Sequence, residues 1–306
     1  MQDKPPTASR RICICADDFG LSTGVNAAVV DLAERGKISA TGGMVRRSAW
    51  LAGAQALRRF APARLDVGLH LDLTRPARVD GPEPGLAGLL AQTYSRTVFA
   101  AGLKADIRDQ MTRFEDAMGR APAFIDGHRH VHQFPVVRQL LVEEIARRYT
   151  ASPPWLRSTA PGWLQGSERW KARVIHALGG ARLNALAARH GIPTSRHLLG
   201  VYDFEGDASA YAKRLGEWLA ASGDGDVLMC HPAAGILPSD PHGAARLREY
   251  AVLRELVLPV PGQADRSGPS GQPGPQAPSG GIWLQPLSQL LRQRSPAAAG
   301  ATRPVA

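Results

Sequence analysis

The chain has 306 residues, 44% hydrophobic and 21% charged, enough for one large α/β domain and too ordinary a mixture for a fibrous or wholly disordered protein. Its net charge of +10 does not read as nucleic-acid binding: 32 of the 37 basic residues are arginines spread along the whole length, with no aromatic-interleaved stripe and no helix-turn-helix, zinc-finger or RNA-recognition pattern. No apolar run approaches the roughly 20 residues of a membrane span, and MQDKPPTASR has no apolar core behind its charges, so a cytoplasmic location is expected, with attraction to acidic surfaces such as anionic lipid left open by the charge.

Residues 1–10 are expected to form a loose arm. Residues 11–16 then read as a buried strand, with Cys13 and Cys15, like Cys230, as reduced small apolar fillers. Ser22 or Thr23 caps the following helix, whose apolar face is Val25, Val29, Leu32 and Ala33 and which Gly36 ends. A strand is expected at 38–45, a helix at 49–60 and a strand at 65–71, followed by a Pro/Gly-rich loop to about Pro84. Next come a helix at 106–118, a strand at 123–128 and a helix at 135–149, with Pro135 at a tolerated first-turn position. The stretch 162–190 is partly helical, 207–221 is a helix, 226–230 a strand and 244–256 a last helix. Strands alternating with helices predict a mainly parallel sheet, open or closed into a barrel. From Pro259 onward there are 9 Pro and 7 Gly in 48 residues, with Asp265 the only acid. That composition predicts a disordered tail, interrupted by Ile282-Trp283-Leu284 and a short helix near 287–294. The expected division is an arm at 1–10, a domain at 11–258 and a tail at 259–306.

Acids and histidines collect just beyond the C-terminal ends of the predicted strands: Asp17-Asp18, His70, Asp126 with His128, His130 and His132, and His231. In α/β sheets and barrels that is the edge where ligands bind. Each group alone has an ordinary reading, as a turn with Asp18 capping the next helix, a satisfied core histidine, or a polar strand end. Asp18-Phe19-Gly20 matches the kinase metal-binding tripeptide, but no HRD-type or glycine-rich phosphate loop accompanies it. If 126–132 is extended, His128, His130 and His132 share one face with Asp126, and imidazoles beside a carboxylate suit a divalent ion. One Asp and two His from different strands make a three-ligand site with open positions, the pattern of a catalytic metal. Trp155 and Arg157 read either as a sugar-stacking face with a hydroxyl-binding fork or as packing.

ADDFG at 16–20, GLHLDLT at 68–74, DGHRHVH at 126–132 and MCHP at 229–232 occur in that order within residues 11–255. Together they resemble the YdjC-like carbohydrate deacetylases, the ChbG/HpnK group. The resemblance implies a modified (β/α) barrel related to the polysaccharide deacetylase fold, one divalent metal ion, and removal of an N-acetyl group from an N-acetylglucosamine-type oligosaccharide or glycolipid with release of acetate. Carried over by motif, Asp18, His70 and His128 are the metal ligands, Asp17 the catalytic base and His231 the candidate general acid. His130, His132 and Arg157 would contact substrate or orient the ligands. Mg²⁺ comes first by the resemblance, although an Asp-His-His set also accepts Zn²⁺, Mn²⁺ or Co²⁺. A homodimer would be in keeping with the family. Two features depart from it: Cys15 stands where such proteins often carry Asn, and the Pro/Gly-rich end takes the place of an expected final barrel element. Two other readings compete. Another metallohydrolase, such as a sugar-phosphate phosphoesterase, would call for a second metal or phosphate-binding cations nearby. A non-catalytic metal- or sugar-binding protein would have no use for the spare carboxylate Asp17.

Overall fold

A computed structural model describes residues 10–74, 85–162, 168–258 and 281–294. The arm before Arg10, the loop at 75–84 and most of the Pro/Gly-rich end lie outside the described residues. The strands are β1 (Arg10–Phe19), β2 (Ala40–Gly43), β3 (Asp66–Leu71), β4 (Phe124–Gly127), β5 (Trp155–Leu156), β6 (Leu198–Leu199), β7 (Val227–Cys230) and β8 (Ile282–Leu284). The helices among the described residues are α1 (Thr23–Glu34), α2 (Trp50–Arg58), α3 (Gly85–Tyr94), α4 (Ala100–Met118), α5 (Val137–Arg148), α6 (Arg169–Ala177), α7 (Gly180–Arg189), α8 (Ala208–Ala221), α9 (Gly243–Glu255) and α10 (Leu287–Arg294).

Parallel pairing runs in the order β5-β4-β3-β2-β1-β7-β6. Isolated parallel bridges, Leu156–Thr194 and Pro161–Leu198, then draw the β5 and β6 sides together. Seven strands therefore follow one another in chain order around a cylinder that is weakly joined between β5 and β6, the modified (β/α) barrel expected. Local chemistry explains the elements. Ser22 accepts the Val25 N–H as the cap of α1, and Gly36 leaves the helix at φ +66°. Helix α3 was not expected, because its uncharged run follows directly on the Pro/Gly-rich loop. Strands β5 and β6 have two residues each, too few for a period-two signal.

Alternation along β1 separates two cores. Ile12, Ile14 and Ala16 pack beneath the helices, whereas Cys13 and Cys15 join Ala40, Phe124, Trp155 and Val227 inside the cylinder. Burial pushes the Cys13 thiol up to about 12, in keeping with an inert filler. Phe124 and Trp155 stack at 4.4 Å between ring centres. Gly68 makes room for them, since a Cβ there would lie 2.4 Å from the Phe124 ring. Leu287 and Leu290 of α10 close the bottom of this interior. Asp66 accepts the Ser288 N–H at 2.9 Å and its hydroxyl at 2.5 Å, which anchors the first turn of α10. Residues 282–284 pair in parallel with the first residues of β1. The apolar patch and short helix that interrupt the Pro/Gly-rich end are thus the floor of the barrel rather than part of a loose tail.

Buried Glu144 of α5 ties that helix to α4. It accepts Arg108 Nε at 2.9 Å from α4 and Arg148 Nε at 2.7 Å from its own last turn, and it also accepts Arg147. Burial alone would raise its pKa, but these guanidinium groups lower it to about 2. A depressed carboxylate contributes stability that is present above its unfolded value near 4.5 and is lost as pH falls toward 2. Glu144→Gln is therefore expected to destabilise the domain by about 2 kcal/mol at neutral pH. The gap to the parent should close between pH 4.5 and 2 in urea melts; a gap independent of pH would show that the charge is not what matters.

Candidate active site

The inward parity of each strand decides what stands at the top of the barrel. Continuing Cys13 and Cys15 gives Asp17, Gly68 gives His70, Phe124 gives Asp126, Trp155 gives Arg157, and Val227 with Met229 gives His231. Asp18 follows at once because the pleat breaks there. Its φ is +67°, and the β1–β2 register shifts between Ala16 and Phe19. Such a conformation costs a non-glycine residue roughly 1–3 kcal/mol. The turn is held by Gly20 at φ +95°, whose N–H donates to Asn26 at 2.7 Å. Two consecutive carboxylates thereby reach one site.

Asp18 Oδ1 faces His128 Nδ1 at 2.9 Å and His70 Nε2 at 3.4 Å, and ligand atoms of these three residues lie within 4.8 Å of one another. Asp18 Oδ2 is taken by Arg246 at 2.6 Å, which leaves one oxygen for the cluster. His70 Nδ1–H donates to Asp126 Oδ1 at 2.7 Å, which orients the ring with Nε2 toward Asp18, where a bound cation would take the place of its proton. One carboxylate oxygen and two imidazole nitrogens on the wall of a cleft suit a single divalent cation. Electrostatics agree. Burial would lower the His70 pKa, yet Asp126 and Asp17 raise it well above the usual range, so the cluster draws positive charge. A second set of donors, Asp17, His70 and Asp126, is already compensated by Arg157.

Asp17 stands beside the cluster without joining it. Arg157 donates from Nη1 to Oδ2 at 2.6 Å and from Nη2 to Oδ1 at 2.7 Å, and pairs with Asp126 Oδ2 at 2.8 Å. Burial works against ionisation, but the Arg157 guanidinium holds Asp17 well below the ordinary carboxylate range. Cys15, at the position of the departing Asn, lies under this pair, with Sγ 3.0 Å from Arg157 Nη2 and 3.5 Å from Asp17 Oδ1. On the other side, His231 Nε2 is 4.0 Å from Asp17 Oδ2. The backbone N–H of His231 donates to Glu249 at 2.6 Å, and its Nδ1 lies 4.0 Å from the other oxygen of that carboxylate.

Three sequence expectations change. His128, His130 and His132 do not share an extended face, because β4 ends at Gly127 and residues 128–133 form a 3₁₀ turn with Arg129 at φ +53° and His130 at φ +60°. His128 joins Asp18 and His130 lines the cleft. His132 turns beneath the site to donate from Nε2 to the Arg157 carbonyl at 2.9 Å, and burial lowers its pKa to about 4. Trp155 and Arg157 are both buried, so neither presents a sugar-facing surface: Trp155 packs on Phe124, and Arg157 holds the carboxylates of Asp17 and Asp126. Arg246 and Glu249 were missed. Their spacing of three residues on α9 puts both on its buried face, a signal available in the sequence.

Above these groups opens a cleft of about 430 Å³, its floor including Asp17, Asp18, His70, His128 and His231. Leu86 and Leu90 of α3 and Ile175 and Leu178 around α6 give it apolar walls.

Several known proteins are similar to this chain. A chitooligosaccharide deacetylase from Enterobacter sp. is 35% identical over 147 residues, 46% of this chain and 57% of that one, so the match spans little more than half of that relative. A carbohydrate deacetylase from Mus musculus is 25% identical over 250 residues, covering 74% of this chain and 79% of the other. A crystal structure of an Enterococcus faecalis protein, provisionally assigned to cellobiose-phosphate cleavage, shares the fold at a TM-score of 0.55 and 20% identity, covering 80% and 91% of the two chains. The model of the YdjC-like protein family matches residues 11–258. Since that match runs from β1 through β7 and takes in every strand end that meets at the cleft, the chain belongs to the YdjC-like family.

Proposed function

We propose that this protein is a metal-dependent carbohydrate deacetylase that hydrolyses the acetamide of an N-acetylglucosamine-type sugar, oligosaccharide or glycolipid, to acetate and the free amine. The carrying observation is the placement of Asp17. It is an ionised carboxylate held outside the Asp18–His70–His128 cluster, with a histidine 4.0 Å away on its other side. The names of the Enterobacter and mouse relatives support the same reaction.

A divalent ion held by Asp18, His70 and His128 would supply Lewis acidity toward the acetyl carbonyl and acidify water. The chain's own residues do the rest. Asp17 takes the proton of the attacking water as oxygen bonds to the acetyl carbon, and Arg157 keeps that carboxylate ionised and aimed. His231 Nε2 donates a proton to the sugar nitrogen as the C–N bond breaks, a step worth typically 10²–10⁴-fold. Glu249 fixes the backbone at His231 and so the position of its ring. Mg²⁺ is the family's expectation, whereas the two imidazoles favour a softer ion such as Zn²⁺, Mn²⁺ or Co²⁺.

The test is acetate release from a panel of N-acetylglucosamine oligomers and N-acetylglucosaminyl lipids. Chelator-treated protein is compared with protein reloaded with each of the four ions. Release restored by metal is the expected result and ranks both ion and substrate. Protein that binds metal stoichiometrically yet frees no acetate from any of these substrates would overturn the proposal.

A further inference from the structure

Helix α6 stands at the cleft with two unlike faces. Lys171 and Ile175, followed by Leu178, line the cleft. The other face carries Arg169, Trp170, Arg173 and Val174 into solvent, with Trp170 66% and Val174 48% exposed. Arg182, exposed on the adjoining α7, adds a third cation. None of these arginines has an ion-pair partner among the described residues. Glu168, the acid beside them, is engaged by Arg214 at 2.9 Å. Other arginines near the cleft are committed to carboxylates, as in Arg47 with Asp72, Arg157 with Asp17 and Arg246 with Asp18. Here an indole is left in water among guanidinium groups that no carboxylate of the described residues pairs with.

The rest of the mouth continues the theme. Tyr94, at the end of α3, is 45% exposed, and its ring meets the cleft residue Phe134. Ile236, 59% exposed, precedes the cleft residue Leu237. Exposed apolar side chains thus adjoin cleft-lining residues on three separate segments. A protein partner would need roughly 800 Å² of matched surface on each side, whereas these are single exposed side chains on separate segments. A bilayer interface requires no matched shape: an indole settles at headgroup level while guanidinium groups meet phosphates. No helix among the described residues is long and apolar enough to cross a membrane, so such contact would be peripheral.

We propose that the rim of the cleft, led by the Arg169–Trp170–Arg173–Val174 face of α6, is a docking surface for anionic lipid headgroups. This goes beyond the deacetylase reading and does not depend on it. The probe is co-sedimentation of the full chain with vesicles of phosphatidylcholine alone and of phosphatidylcholine mixed with phosphatidylglycerol, at low and high salt. Binding is expected only with phosphatidylglycerol present and should weaken with salt. It should fall about fivefold in each of Arg169→Gln and Arg173→Gln, and again in Trp170→Ala. Arg292→Gln, on α10 at the opposite end of the barrel, should bind as the parent does. All four side chains are exposed, and thermal melts matching the parent's would confirm intact folds. Failure to bind the anionic vesicles would overturn the proposal, as would equal losses in Arg292→Gln and the α6 variants. So would a self-associated species in sedimentation velocity that Trp170→Ala dissolves, since the face would then belong to a second copy. Acetate release without vesicle binding would leave the deacetylase reading standing and remove this one.

Discussion

Asp17→Asn is expected to lower the rate of acetate release by at least about 10³-fold while the protein keeps its metal and its fold. The substitution preserves shape and removes the group that accepts the water's proton. Arg157 retains Asp126 at 2.8 Å and can still donate to the one remaining oxygen at position 17, so the buried guanidinium is not stranded. The cluster formed by Asp18 Oδ1, His70 Nε2 and His128 Nδ1 is untouched, and bound metal measured by atomic emission should stay at the parent's stoichiometry. His70→Ala should behave differently, losing metal and turnover together. The contrast separates proton transfer from metal retention. Near-parental activity in Asp17→Asn would move the base to another residue, and loss of metal in that variant would make Asp17 a ligand.

Much of this site was legible because strand ends leave a pattern in one dimension. An apolar run followed by Asp-Asp or His marks the edge of a parallel barrel, and four such marks converge in the structure. The parity of those runs was equally available: positions 13, 15 and 17 of β1, and 66, 68 and 70 of β3, already separate the groups facing inward from those facing the helices. Other features had no local signal. Nothing in Gly-His-Arg-His-Val-His announces two residues at positive φ, because neither Arg129 nor His130 is a glycine or an asparagine. The role of Arg157 depends on a carboxylate 140 residues away, reached through a strand only two residues long. The floor was hidden in the opposite way. The Pro/Gly-rich composition on the N-terminal side of 282–294 masks the segment, yet three apolar residues suffice to extend β1's pairing, and two leucines suffice to close the interior.

Arg157→Met should be the most destabilising single change at the site. Its guanidinium, about 1% exposed, is shared between the buried carboxylates Asp17 and Asp126. Methionine fills part of the volume but leaves those charges close together with His70 as their nearest cation. Breaking a buried pair from one side typically costs about 3–5 kcal/mol, roughly 6–20 °C in Tm for a domain of this size. Because such a variant could simply fail to fold, the informative comparison is with the double variant Arg157→Met, Asp17→Asn. Removing the stranded charge should recover part of the lost stability in urea melts, although neither variant should release acetate. A double variant no more stable than Arg157→Met would mean that Asp17 is not what the guanidinium neutralises. Recovery would show that the arginine is retained for the carboxylate it keeps ionised rather than for packing, since in the double variant the packing defect remains and the charge defect is gone.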